Sequence, residues 1–132
     1  MGDLAKNYAT DKTAEQEGVW EPLADGIEIK VARIGNPNYQ RIWEREIKPY
    51  RAQVDRGLMA DEKFTEIIIK VLAEAVLLDW KNIEYGGKKL VHNRENAIRI
   101  LTELPDFRAD VMFLANQQAS FRAEEIEEAE KN

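Results

Sequence analysis

The fold is decided by residues 64–104, which read FTEIIIKVLAEAVLLDWKNIEYGGKKLVHNRENAIRILTEL. The first part of this stretch is apolar except for a stripe of polar residues four positions apart. We therefore predict a central helix over residues 64–80 that packs on several faces. Gly86 and Gly87 predict the turn of a short β-hairpin, and Asn93, a favoured N-cap residue, predicts the start of another helix. This helix–hairpin–helix block should supply much of the core.

A second hairpin and another helix are predicted before this block. Apolar and polar residues alternate through residues 27–34, which is the pattern of a half-buried strand. Asp25-Gly26 tolerates positive φ and predicts a tight turn that joins this strand to a short one at residues 19–20. Asn36-Pro37 predicts a helix start, because Asn is a good cap and Pro loses no hydrogen bond in the first turn. Pro49 should end or kink that helix near residue 48.

The C-terminal part is predicted to be helical and then acidic. Pro105 ends the helix that begins at Asn93, and a last helix is expected to carry Phe107, Val111, Leu114 and Phe121 on one face. The predicted fold class is α+β, mainly α, with about four helices and two short β-hairpins in a single domain. We expect a flexible N-terminal arm at residues 1–17, the folded domain at residues 18–122 and an acidic tail at residues 123–132.

Composition narrows the possible functions. The chain has 132 residues, a formal net charge of −6 and no cysteine, so it lacks the basic character of a general nucleic-acid binder and any disulfide framework. Lys70, Glu74 and Asp79 interrupt the most apolar segment, which is also too short to span a membrane. The sequence therefore predicts a small cytoplasmic domain without a membrane partner.

No catalytic or metal-binding pattern is found. A serine–histidine arrangement would have to bring together Ser120 and His92, and neither lies in a recognisable catalytic motif. His92 and Glu95 could supply two metal ligands, but a glutamate in the first turn of a helix has an ordinary structural role. The carboxylates of Glu62, Glu66 and Glu74 form a solvated helix stripe. We therefore predict neither enzyme activity nor a cofactor.

The helix after Asn36-Pro37 offers a candidate binding surface. Its basic residues, Arg41, Arg45, Lys48 and Arg51, interleave with Tyr39, Trp43 and Tyr50. Such a mixture can bind phosphate and stack bases, or it can form a helical protein-contact surface. Acidic neighbours dilute the charge, so protein contact is the favoured interpretation. The predicted partner-contact residues are Tyr39, Trp43 and Tyr50 of this helix, together with Phe121 of the predicted last helix.

Three stretches together resemble a known family. They are IKVARIGNPNYQR (residues 29–41), LDWKNI with the following Gly-Gly turn (residues 78–87) and NRENAI (residues 93–98). Their order and spacing resemble the tail assembly chaperones of long-tailed, siphophage-type bacteriophages, over residues 18–122. Many relatives have Ser-Pro or Thr-Pro where this chain has Asn93-Arg94, a change that keeps the helix cap.

The resemblance implies a transient binding function in the host cell cytoplasm. Such a chaperone coats the tape-measure protein, keeps it soluble and helps to recruit tail-tube subunits, and it is not retained in the virion. It implies no catalytic residue, and self-association remains open. The alternatives are a structural tail-completion or connector protein of the virion and a small nucleic-acid-binding regulator.

The resemblance also implies a longer product made by ribosomal frameshifting, through which tail-tube subunits are mainly recruited. Residues 130–132, Glu-Lys-Asn, can be encoded as GAA-AAA-AAC. That codon choice contains the slippery heptamer A-AAA-AAC. We therefore expect a minority of ribosomes to slip back one base there and continue into an overlapping reading frame.

Overall fold

The computed structural model describes residues 1–131, and Asn132, the last residue of the predicted tail, lies outside the described residues. The elements in chain order are α1 (Leu4–Tyr8), α2 (Lys12–Glu17), β1 (Val19–Pro22), β2 (Glu28–Val31), α3 (Pro37–Ile47), α4 (Arg51–Asp55), α5 (Asp61–Ala75), β3 (Leu77–Lys81), β4 (Glu84–Tyr85), β5 (Lys88–Lys89), α6 (Arg94–Glu103), α7 (Pro105–Ala115) and α8 (Ala123–Lys131). Short 3₁₀ turns lie at Ala24–Gly26, Lys48–Tyr50 and Ala119–Phe121. The class is α+β and mainly α, as predicted.

The predicted number of about four helices is wrong. Among the described residues there are eight α-helices, of which five have nine or more residues. Two short N-terminal helices form because Asp3 and Asp11 cap them, their carboxylates accepting the backbone N–H groups of residues 6 and 14. Pro49 lies in the 3₁₀ turn that separates α3 from α4. Phe121 is not on the last long helix as predicted but in a separate 3₁₀ turn after α7.

The predicted helix over residues 64–80 is also wrong at its C-terminal end. Helix α5 stops at Ala75, and Val76 has the non-helical angles φ −125° and ψ −60°. Residues 77–81 form the strand β3, which pairs antiparallel with β2 and places Trp80 opposite Ile29. A continuous run of apolar residues is compatible with a buried helix and with a buried strand, so the pattern alone does not distinguish them. Residues 77–81 form a strand because their backbone groups pair with the free edge of β2, which needs hydrogen-bond partners.

Both predicted hairpins are confirmed. Strands β1 and β2 pair through a turn in which Asp25 and Gly26 have positive φ of 60° and 77°, and β4 pairs with β5 across Gly86-Gly87. The order in the larger sheet is β1-β2-β3. Central helix α5 packs against α3 and α6, and α7 packs against α6 and β2. None of the described helices is long and apolar enough to cross a membrane.

The buried side chain of Asn36 connects the start of α3 to the end of α5. Its Oδ1 accepts the backbone N–H groups of Asn38 and Tyr39 at 2.8 and 3.0 Å, so the predicted N-cap is confirmed. Its Nδ2 donates to the carbonyl oxygens of Arg33 and Ala75 at 2.6 and 3.3 Å. With 4% of its surface exposed, Asn36 has all of its polar capacity used inside the protein.

The N-terminal residues contact the C-terminal part of the chain. The backbone N–H of Asp11 donates to Phe121 O, and that of Ala123 donates to Ala9 O, both at 2.9 Å. Arg33, two residues after β2, forms an ion pair with Glu15 of α2 at 3.0 Å. These contacts join residues 9–15 to the body of the protein, while the proposed division into arm, domain and tail stays a prediction.

Candidate partner-binding surface

A group of large apolar side chains lies on the outside of the protein where α3 approaches the start of α5. We call it the α3–α5 surface, and its members are Trp43, Tyr50, Leu58, Met59 and Phe64. The rings of Trp43 and Phe64 meet edge to face, with their centroids 5.6 Å apart and an interplanar angle of 76°. Phe64 is 38% exposed, so one side of this aromatic pair faces solvent. Trp43 is half-buried and also packs against the core.

The loop between α4 and α5 adds two further apolar side chains. Gly57 has a φ of 67°, which ends α4 in the left-handed region that glycine adopts without strain. The backbone N–H of Leu58 then donates to Gln53 O at 2.8 Å and closes the turn. Leu58 points outward and is 71% exposed, whereas Met59 is half-buried against the core. An exposed leucine and an exposed phenylalanine therefore lie within two turns of the start of α5.

Charged groups border this apolar surface. The Lys63 ammonium lies 4.7 Å from the centre of the Tyr50 ring, and its hydrogen bond to Tyr50 together with the nearby charge of Glu66 raises the pKa of Lys63. Arg51 forms an ion pair with Glu44. A polar border around an apolar centre is the usual composition of a protein-binding site.

The acidic side chain of Glu74, near the C-terminal end of α5, connects three helices. It accepts from Arg94 at 2.5 Å and from Arg45 at 2.7 Å, so one carboxylate of α5 links α3 and α6. Burial disfavours the ionised form, but the hydrogen bonds and charges of the two arginines outweigh it and hold the pKa of Glu74 below its ordinary value. The Glu74 carboxylate therefore fixes α3 and α5, the two helices that carry the surface, relative to α6.

The structure brings together only some of the predicted contact residues. Trp43 and Tyr50 contribute to the α3–α5 surface, and Tyr39 is half-buried against the core, where burial raises the pKa of its hydroxyl. Phe121 has 0% of its surface exposed and is therefore inaccessible to a partner in this conformation. Sequence reasoning did not single out Phe64, because it placed residues 64–80 together in a central helix that packs on several faces. It also missed Leu58. The available signal was that this leucine directly follows Gly57 in a predicted turn, where an apolar side chain is expected to be exposed.

The basic residues of the same region are partly neutralised. Arg45 is paired with Glu46 as well as Glu74, and Arg51 is paired with Glu44. An arginine that already has a carboxylate partner contributes less to phosphate binding. These pairs weigh against a nucleic-acid interface on α3.

The side chains considered for catalysis are engaged in structural contacts or lie apart. His92 Nε2 is 3.1 Å from Leu77 O, and its ring meets Trp80 edge to face with centroids 4.6 Å apart. Ser120 lines a groove between β1 and α8, whereas His92 lines a cleft beside β3, at the other edge of the sheet. Within residues 1–131, no three His, Cys, Asp or Glu side chains are grouped as metal ligands would be.

Comparison with known proteins gives a family match. A family model described as YdaY prophage protein matches residues 34–132, a segment that begins just before α3 and includes the whole α3–α5 surface. No curated protein and no solved structure matches the chain. Because the family match covers most of the sequence, this phage-derived chain belongs to the YdaY prophage protein family.

Proposed function

We propose that this protein is a phage tail assembly chaperone, which binds the tape-measure protein, keeps it soluble and helps to recruit tail-tube subunits. The observation that carries the proposal is the α3–α5 surface, where the Trp43–Phe64 pair and Leu58 face solvent. The prophage family and the resemblance of residues 18–122 to tail assembly chaperones support it. We place the complex in the host cell cytoplasm, before the tail is complete.

The chemistry of the surface suits an amphipathic helix as its partner. Exposed aromatic and aliphatic side chains that lie close together commonly mark protein-binding sites. An amphipathic helix presents apolar residues at positions i, i+3, i+4 and i+7, and such a stripe docks against an apolar surface between helices. A tape-measure protein is a long helix of this kind, and its apolar stripe needs cover until the tail tube surrounds it.

The arrangement also suits reversible binding. Trp43 and Met59 are half-buried against the core, so binding would cover their remaining exposed parts together with Leu58 and Phe64. A few large side chains with a charged border give a modest interface, and modest interfaces dissociate readily. A chaperone that is displaced by tail-tube subunits needs this property.

The proposal is tested by co-expression with the tape-measure protein encoded in the same prophage. The wild-type chain is expected to co-purify with the tape-measure protein and to raise its soluble fraction. Phe64→Ser and Leu58→Ser should each weaken the complex about tenfold or more, because each removes an exposed apolar side chain of the surface. The matched control is Phe113→Ser, since Phe113 is also an aromatic residue, 64% exposed on α7, away from this surface.

Three results would contradict the proposal in different ways. If the wild-type chain neither co-purifies with the tape-measure protein nor changes its solubility, the chaperone function is wrong. If Phe113→Ser abolishes binding and Phe64→Ser does not, the function stands but the surface is wrongly placed. If the protein is found in purified virions, it is a permanent tail component.

Recruitment of tail-tube subunits is proposed to depend mainly on a longer, frameshifted product. The codons for residues 130–132 decide whether the slippery heptamer exists in this gene. A heptamer followed by an open overlapping frame, with a longer product detected by mass spectrometry, is the expected result. A gene without a slippery run at the codons for residues 130–132 would remove this part of the proposal and leave tape-measure binding untouched.

A further inference from the structure

A small polar cavity lies between the N-terminal residues and the turn before α8. It has a volume of about 180 Å³ and is lined by Tyr8, Thr10, Arg33, Gln118 and Arg122. We call it the Arg33–Arg122 cavity. It is separate from the α3–α5 surface, so an inference about it does not depend on the proposed function.

The backbone places the lining side chains close together. Thr10 pairs antiparallel with Arg122 in an isolated β-bridge, and residues directly opposite each other in such a pair project to the same side. Arg33 lies two residues after β2 and is held in place by Glu15 of α2, 3.0 Å away. The Arg33 guanidinium also lies 6.0 Å from the centre of the buried Phe121 ring.

The side chains that line the cavity are all polar and can all donate a hydrogen bond, and those of Tyr8, Thr10 and Gln118 can also accept one. The two guanidinium groups are always charged. Of the described residues, no carboxylate and no purely hydrocarbon side chain lines it. A cavity of this chemistry favours an anion that accepts several hydrogen bonds.

Two of the five side chains already donate within the protein, and Thr10 uses its only O–H in doing so. Thr10 Oγ1 donates to Glu15 Oε1 at 2.7 Å, and one nitrogen of Arg33 donates to Glu15 Oε2. Burial disfavours ionised Glu15, but the hydrogen bonds from Thr10, Lys12 and Arg33 outweigh it and hold the pKa of Glu15 below its ordinary value. Its single charge is thus shared between Lys12 and Arg33. The guanidinium of Arg122 forms no ion pair with any described residue, which leaves the cavity with excess positive charge.

We propose that the Arg33–Arg122 cavity binds a small oxyanion, either a phosphate or sulfate group or a carboxylate. The volume suits such a group and is too small for a nucleotide. An adjoining groove, which Tyr8, Gln118 and Arg122 also line, is open to solvent and gives access. A bound anion would contact residues 8–10 and 118–122 together, and so would stabilise the attachment of the N-terminal segment.

The test is the thermal midpoint of the purified protein in sodium phosphate, sodium sulfate or sodium acetate, each compared with sodium chloride at equal ionic strength. At least one oxyanion is expected to raise the midpoint above the chloride value, and the comparison among the three identifies the preferred group. Arg122→Gln should lose this increase. Arg41→Gln, which removes one exposed arginine elsewhere, should keep it and controls for net charge.

Titration calorimetry with the preferred anion should give binding about tenfold or more weaker for Arg122→Gln, because a charged hydrogen-bond donor is lost. If Arg122→Gln does not fold, Gln118→Leu supplies the same comparison by replacing a cavity donor with a hydrocarbon. Equal midpoints in chloride and all three oxyanions would overturn the proposal. An increase that Arg122→Gln or Gln118→Leu retains in full would also overturn it.

Discussion

Replacing Trp80 tests the strand β3, the element that the sequence misassigned. Trp80 is 6% exposed and lies opposite Ile29 in the sheet. Its indole N–H donates to Leu90 O at 2.7 Å, and its ring contacts His92 edge to face. Trp80 therefore connects the three-stranded sheet to the segment that leads into α6. Because it combines burial with a hydrogen bond, two substitutions can separate the two contributions.

Trp80→Ala removes the buried ring and the hydrogen bond together. Truncating a buried tryptophan costs about 3 to 5 kcal/mol in the free energy of unfolding, against a total of roughly 5 to 15 kcal/mol for an ordinary domain. Trp80→Phe keeps most of the apolar contact but leaves the Leu90 carbonyl without its partner, at a cost of about 1 to 3 kcal/mol. We expect Trp80→Ala to be close to the limit of folding and Trp80→Phe to remain folded.

The matched control is Trp20→Phe. Trp20 is half-buried on β1, and its ring lies 4.0 Å from the ammonium of Lys81. A phenylalanine can keep part of that cation–π contact, so the cost should stay below about 1 kcal/mol. The assay is equilibrium urea unfolding followed by far-ultraviolet circular dichroism, because tryptophan fluorescence changes with the substitutions themselves. The slope of free energy against urea should be equal in all variants.

Two results would refute this reasoning. If Trp80→Phe costs no more than Trp20→Phe, the indole hydrogen bond to Leu90 contributes nothing to stability. If Trp80→Ala leaves the urea midpoint unchanged, Trp80 is not buried in solution, and the pairing of β3 with β2 is wrong.

The remaining predictions concern Glu74 and the two asparagine caps. The pKa of Glu74 is lowered in the folded protein, so its contribution to stability is complete above about pH 4.5, its ordinary value, and is lost as the pH falls through the lower folded value. Urea unfolding across this acid range should show a smaller loss for Glu74→Gln, which cannot ionise beside Arg45 and Arg94, and equal losses would contradict the assignment. Asn36→Ala should cost about 2 to 4 kcal/mol, because it removes a buried cap and two carbonyl partners. Asn93→Ala removes an exposed cap with one backbone hydrogen bond and should cost about 1 kcal/mol. If Asn36→Ala and Asn93→Ala lower the thermal midpoint equally, the buried hydrogen bonds of Asn36 add nothing to stability.

The sequence by itself determined the features that depend on a few neighbouring residues. Asn36 and Asn93 cap the predicted helices because a cap needs only its own side chain and the next three backbone N–H groups. Asp25-Gly26 and Gly86-Gly87 turn the chain because these residues adopt positive φ at low cost. Pro49 interrupts the helix because its ring and missing N–H act locally.

Only the tertiary structure decided which face of each element meets another. Residues 77–81 are a strand because β2, distant in sequence, offers them an unpaired backbone edge. Phe64 stays exposed and Phe121 is fully buried although both carry the same side chain. The first lies at the outer end of α5, while the second is covered when residues 9–11 pair with residues 121–123. Burial depends on neighbours that are close in space and far apart in the chain, and for this reason periodicity could not predict the exposure of Phe64 or the separate turn in which Phe121 is buried.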